Sequence, residues 1–351
     1  MPTILLWAAA MFAAPDTTRF GPEDVNSLPP ATTQVDQAEG LLTIELPLVE
    51  IPGNGMLRTP VHRAEVPFDV SLHGFRVEVV SESGVVLPQD RLHHFNLTDP
   101  DRRELFAPLP LHIMAASKET PPSPSVPSLL IGMPLPAGRR YIAYAMLANP
   151  EDHAVKLRAR LVFNYIRPGR VFPLIRAYPW VMDVMFPLGG EGGRKDFDLP
   201  PGKSSRSWES SPAVPGTILG LGGHLHDLAT AIELRDVTSG EIVWRQEPVR
   251  DENGTILSLP TEKLYRWYRL GIHIEPSHVY RVTVFYDNPT GEMIPYGGMG
   301  AVAGLFRPDA GVRWPGVDRD DPVYRVYVDN ILRNMQGLEM GHGAHSHHPG
   351  R

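Results

Sequence analysis

Two groups of histidines carry the chemistry that this sequence can support. The first is Gly222-Gly223-His224-Leu225-His226-Asp227, in a strand-like run that continues into Ala231-Ile232-Glu233-Leu234. Strand residues two apart share a face. His224 and His226 can therefore offer two imidazoles to one ion while Leu225 points the other way. Imidazole suits Cu, Zn, Ni and Fe. The same pattern also fits two half-buried histidines without a metal. Asp227 is read either as an outer partner holding an imidazole N–H or as a surface carboxylate. The second group is Leu92-His93-His94-Phe95-Asn96-Leu97. Adjacent strand residues face opposite ways, so His93 and His94 serve one ion only if the backbone bends or the rings use different nitrogens. Otherwise one is buried and the other exposed.

Other residues weigh less. His62, His73, His112, His153, His273 and His278 stand singly and read as surface or satisfied core residues. His342, His345, His347 and His348 lie in a Gly/His tail that lacks the fixed geometry catalysis needs. Asp99-Pro100-Asp101-Arg102-Arg103-Glu104 reads as a solvated charged loop. Trp208, Trp244, Trp267, Trp314 and Tyr268 read as core or interdomain packing residues, or equally as a substrate-stacking surface. The chain of 351 residues has no cysteine. This excludes disulfides, Cys-ligated zinc, iron–sulfur clusters and thiol catalysis. It leaves His and Met as the only soft or borderline ligands, which pushes any transition-metal site towards copper. Net charge is −7, and the 33 basic residues form no basic run, which argues against nucleic acid as a partner. No Gly-x-Ser-x-Gly is present, and the His224/His226/Asp227 group lacks the carboxylates of a two-metal hydrolase.

The elements that would position these groups read as strands. The 37 prolines and 32 glycines disfavour a helical bundle. Alternating or apolar runs at 41–49, 68–72, 75–79, 141–147, 157–163, 230–234, 242–244 and 280–286 are separated by turn clusters, as in antiparallel sandwiches. Only 261–268 and 327–335 read as helical. Tyr141 precedes Asn149-Pro150 by the same interval as Tyr280 precedes Asn288-Pro289, the trace expected of one fold present twice. The expectation is an all-β chain of two tandem antiparallel jelly-roll-like β-sandwich domains. Residues 1–39 read as a signal peptide and linker or, since no Lys or Arg precedes the apolar run at 4–14, as a frayed apolar N-terminus and linker. Residues 40–188 form the N-terminal domain, 189–211 a linker, 212–335 the C-terminal domain and 336–351 a His-rich tail. No 18-residue apolar stretch is present, so no membrane span is expected beyond the leader.

The order His-His, a Tyr…Asn-Pro strand, His-x-His, and a second Tyr…Asn-Pro strand followed by Gly297-Gly298 resembles the type II copper, ascorbate-dependent monooxygenases. The resemblance covers roughly residues 60–310 and rests on order and spacing. It implies two jelly-roll-like domains, each holding one copper, with ascorbate or another reductant supplying electrons. It implies hydroxylation of a small-molecule or peptide substrate by dioxygen, and the leader at 4–14 implies an extracytoplasmic compartment. The first site would use His93 and His94, with Met146 where the family has a third histidine and Phe95 where it has a methionine. The second would use His224 and His226. Its distal methionine position falls near Leu305, which cannot bind a metal, so Met299 is the substitute and Met293 a further candidate. The family's framework cysteines are missing, as in a distant relative. The alternative is a double sandwich with degenerate sites, a non-catalytic metal-binding or structural protein.

Overall fold

The structure is a computed structural model. It describes residues 22–118, 120, 131–166, 175–187, 195–266, 269–333 and 339–340. The tail histidines, Trp267, Tyr268 and the apolar run at 4–14 lie outside the described residues. The first sandwich is built from β1 (Thr32–Asp36), β2 (Leu41–Glu45), β3 (Gly55–Arg58), β4 (Val70–Ser81), β5 (Leu92–Arg103), β6 (Pro110–Ala116), β7 (Ile131–Leu135), β8 (Arg140–Asn149) and β9 (Val155–Tyr165). The second is built from β10 (Tyr178–Asp183), β11 (Gly202–Ser210), β12 (Gly216–Leu225), β13 (Ala229–Asp236), β14 (Ile242–Gln246), β15 (Tyr280–Asn288) and β16 (Gly300–Pro308). Helices α1 (Pro22–Ser27) and α2 (Pro322–Arg333) flank the strands. The chain is all-β, two jelly-roll-like sandwiches in tandem. No helix among the described residues is long and apolar enough to cross a membrane.

In the first sandwich one sheet runs β1-β2-β9-β4-β7 and the other β3-β8-β5-β6. On β9 the residues Leu157, Ala159, Leu161, Phe163 and Tyr165 enter the core. Arg158 and Arg160, on the opposite face, pair with Glu45 and Glu78. That face meets water. In the second sandwich β10-β16-β12 faces β11-β15-β13-β14. Tyr280, Val282, Val284 and Tyr286 of β15 enter its core, while Glu233 holds Arg235 and Arg245 on the outer, wet face.

The two remaining outer faces carry few charges, and they pack on each other. Ile142 and Tyr144 of β8, Phe186 and α2 residues Tyr327 and Ile331 form an apolar seam there. Ile131, Ala177 and Leu219 form a second. Burying each such side chain stabilises the contact by roughly 1.5–3 kcal/mol. Trp314 packs against both cores and donates its indole N–H to Arg103 O.

The duplication is visible in two buried asparagines. Asn149 Nδ2 donates to Ile51 O, Pro52 O and His153 O, and Oδ1 accepts from Glu151 N. Asn288 Nδ2 donates to Leu199 O, Pro200 O and Glu292 O, and Oδ1 accepts from Thr290 N. The same side chain closes the same strand end in each copy.

Several boundaries differ from the expectation. Residues 202–210, read as linker, are β11, a strand of the second sandwich. Ser and Gly disguised it, because one of its faces meets water. Strand β10, counted with the first domain, belongs to the second sandwich through its pairing with β16. Strand β1, counted with the leader, pairs with β2. Residues 262–263 and 265–266 are short strands rather than helix, the first paired with the edge of β12 and the second with residues 269–270 in a hairpin. Asp99 and Glu104, read as solvated, are buried at 1% and 0% exposure. Arg139 grips Asp99 through two hydrogen bonds of 2.9 Å, which makes its burial tolerable.

Candidate metal centre

The four histidines of the two pairs meet at the junction of the sandwiches. On β5, Leu92, Phe95 and Leu97 point into the first core. His94 lies opposite Met146 of β8, but the next partners are Leu92 and Leu147. His93 is therefore the extra residue of a β-bulge. A bulge lets two consecutive residues oppose one and re-aims a side chain. The backbone bend that the adjacent pair requires is present, and the His93 and His94 rings lie with centroids 4.3 Å apart.

The second pair comes from the facing sheet. Leu221 and Leu225 of β12 enter the second core, which leaves His224 on the outer face, opposite Ala301 of β16. Glycine is needed just before it. A Cβ on Gly223 would lie 2.6 Å from Ala301 O, and one on Gly222 2.9 Å from Thr261 Cγ2. His226 follows β12 directly, and its carbonyl accepts from Ala229 N in the tight turn to β13. The rings of His224 and His226 lie 5.5 Å apart, and those of His94 and His224 5.7 Å. Two imidazoles bound to one ion at about 2.0–2.1 Å from each nitrogen have ring centres roughly 5 Å apart. As placed, no three His, Asp or Glu side chains among the described residues enclose an ion. The rings touch one another in pairs.

Burial pushes the His94 imidazole well below its ordinary value, and His93, His224, His226 and Arg58 push it the same way. A neutral imidazole is the form that binds metal. Nε2 of His224 is shut off from solvent. Met146, half-buried, shares the face of His94. Met299 lies just before β16, and continuing the β12–β16 register carries it opposite His226. Its N–H donates to the Tyr286 hydroxyl, which donates back to Met299 O. Leu305 lies opposite Gly220, further along the strand. Met293 is exposed in the turn after Asn288. Asp227 Oδ1 accepts from Ile256 N at 3.0 Å, tying the 256–263 segment to the site. Phe95 is buried in the first core, on the face away from the histidines.

A second polar group at the same seam was not singled out from sequence. Glu104 Oε1 accepts from His112 N at 2.7 Å and from His112 Nδ1 at 2.8 Å. Its other oxygen accepts from Val181 N on β10, across the junction, at 3.2 Å. Tyr327 of α2 meets His112 Nε2 at 2.6 Å. Asp183 and Lys195 pair nearby at 3.8 Å. Burial pushes Asp183 up and Lys195 down, and each partly counters the other. His112 gave a sequence signal as a lone histidine expected to be satisfied, whereas Glu104 was read as part of a solvated loop and is buried.

No protein-family model and no curated protein matches the chain. Among solved structures it is similar to the major capsid protein P2 of bacteriophage PM2, at 8% identity over 76% of this chain and 100% of that one, with a TM-score of 0.31. It is also similar to the VP2 subviral particle of infectious bursal disease virus, at 12% identity, 82% and 76% coverage and a TM-score of 0.24. The mavirus major capsid protein follows at 10% identity, 88% and 92% coverage and a TM-score of 0.20. Likenesses this distant carry no functional argument.

Proposed function

We propose that this is an exported copper-binding protein that acts as a copper-dependent oxidoreductase, in the manner of the type II copper, ascorbate-dependent monooxygenases. The observation that carries the reading is the meeting of His93 and His94 with His224 and His226, each pair from a different sandwich. The donor set fits copper. It offers imidazoles and no thiolate, with Met146 and Met299 at register positions opposite His94 and His226, and thioethers favour Cu(I). Copper, when bound, supplies one-electron chemistry with dioxygen, and ascorbate or a similar donor would return the electrons.

The chain's own residues have separate tasks in this reading. The bulge at His93 turns both imidazoles of β5 towards the second sandwich. Burial holds His94 neutral, so that its lone pair is free for a metal. Tyr286 fixes the backbone of Met299 beside His226. Asp227 holds the 256–263 segment against the end of β12. The apolar seam around Tyr144 and Tyr327 keeps water out on one side.

A second reading has its own support. Methionine replaces the third histidine of the first site, and Leu305 stands at the expected distal position of the second. A copper-binding protein without catalysis would tolerate both changes. Dioxygen uptake driven by ascorbate separates the two. The copper-loaded protein is expected to consume dioxygen faster than free copper at equal concentration, and the His224→Ala/His226→Ala variant is not. Tight copper binding without uptake would leave the binding reading alone.

A further inference from the structure

A buried hydrogen-bonded line runs from Glu104 through His112 to Tyr327. A carboxylate only accepts, so His112 Nδ1 carries the hydrogen and Nε2 presents its lone pair. The Tyr327 hydroxyl, 2.6 Å away, donates to it. A hydroxyl, an imidazole base and a carboxylate that orients the base make an acid–base triad. Here the hydroxyl is a phenol, which can lose an electron as well as a proton. Tyr327 is 7% exposed, so no sizeable substrate reaches it, but electrons and protons can.

The surroundings favour losing both together. Lys195 Nζ lies 5.0 Å from the Tyr327 ring centroid and 4.3 Å from that of Phe186. An ammonium over the ring opposes positive charge on it, so an electron leaves only with its proton. The histidine junction is close. Tyr144 shares an apolar cluster with Tyr327. On β8 it precedes Met146 by two residues on the same face, about 7 Å along the strand, and Met146 lies opposite His94. Arg58 sits 5.1 Å from the Tyr144 ring centroid.

We propose that Tyr327 is a redox-active tyrosine that gives one electron to an oxidant formed at the histidine junction while His112 Nε2 takes its phenolic proton. The phenolic O–H bond breaks. The proton makes an imidazolium held by Glu104, the electron reduces the oxidant by one equivalent, and a neutral phenoxyl radical remains. A one-electron donor of the ascorbate class restores the phenol. The identity of the oxidant, copper with dioxygen, rests on the proposed function.

The test starts from metal-free protein, so that it stands apart from copper. A flash-generated ruthenium polypyridyl oxidant supplies the hole, and the phenoxyl radical is followed by absorbance and electron paramagnetic resonance. Eleven tyrosines are present, so Tyr327→Phe gives the difference signal. The wild type is expected to show a long-lived radical that Tyr327→Phe lacks. His112→Phe is expected to slow its formation roughly a hundredfold, the lower end of what a positioned base contributes. Glu104→Gln is expected to do the same without loss of bulk, because its amide can donate to Nδ1 and leave the hydrogen on Nε2. Equal radical yield in Tyr327→Phe, or unchanged rates in both other variants, overturns the assignment. Copper titration of the same samples separates the two claims. A wild type that binds no copper overturns the copper reading, whereas copper binding with a radical insensitive to Tyr327→Phe overturns the tyrosine assignment alone.

Discussion

His94 of the first sandwich and His224 of the second meet edge to face, with ring centroids 5.7 Å apart and planes at 79°. The contact joins two strands that share no hydrogen bond and belong to different cores. It exists because each histidine lies on the outer face of its sheet that carries few charges, and those two faces pack together.

The bulge at His93 gives a first prediction. Leu92 already pairs with Leu147, and His94 with Met146. Deleting His93 therefore leaves a regular ladder without turning any other side chain over. The deletion variant is expected to fold, with a thermal midpoint near that of the wild type, and to bind copper weakly. Calorimetric titration and a thermal melt check both halves. A deletion that unfolds the chain, or keeps full copper affinity, contradicts the role given to the bulge.

Met146 gives a second. It is half-buried beside His94, and Met146→Leu keeps its volume while removing the thioether. Cu(I) affinity is expected to fall about tenfold, which corresponds to about 1.4 kcal/mol, with little change for Cu(II), since sulfur prefers the softer ion. Competition with a chromophoric Cu(I) chelator reads this directly. Equal losses for both oxidation states would mean a packing effect.

The two asparagines give a third. Asn149 and Asn288 each satisfy three carbonyls that have little access to water. Asn149→Ala and Asn288→Ala are each expected to cost about 3 kcal/mol, because orphaned buried acceptors are expensive. The two costs should be similar, since the bonding is duplicated. Urea unfolding, followed separately in each sandwich by local fluorescence, measures them.

Glu78 gives a pH prediction. Burial raises its pKa, but Arg76 and Arg160 outweigh burial and leave it below the ordinary value of 4.5. A depressed folded pKa means that the stabilisation is present above the unfolded value and lost as pH falls through the folded one. The wild type is therefore expected to lose stability relative to Glu78→Gln on acidification below about pH 4.5. Parallel stability curves for the two proteins would refute the pairing.

Much of this architecture was legible in the residues, for physical reasons. Alternation gave the strands with one wet face, such as β9, and the Asn-Pro ends marked the duplication because only a buried asparagine closes the strand in that way. Other features depended on tertiary partners. A bulge at His93 has no local signature, since the residue is neither glycine nor proline. Asp99 and Glu104 look like loop charges until Arg139, His112 and Val181 surround them. The Ser-rich β11 hides its strand because its outer side chains need no apolar character. The place of Tyr327 is set by the packing of α2 into the seam, which periodicity in the helix cannot reveal.

The central claim is that both sandwiches contribute to one copper-binding junction. The most direct measurement is the copper content of untagged protein after dialysis, for the wild type and for the His93→Ala/His94→Ala and His224→Ala/His226→Ala variants. The account predicts tightly held copper in the wild type and a loss of copper in each variant. A wild type without copper, or either variant retaining the full complement, would contradict it.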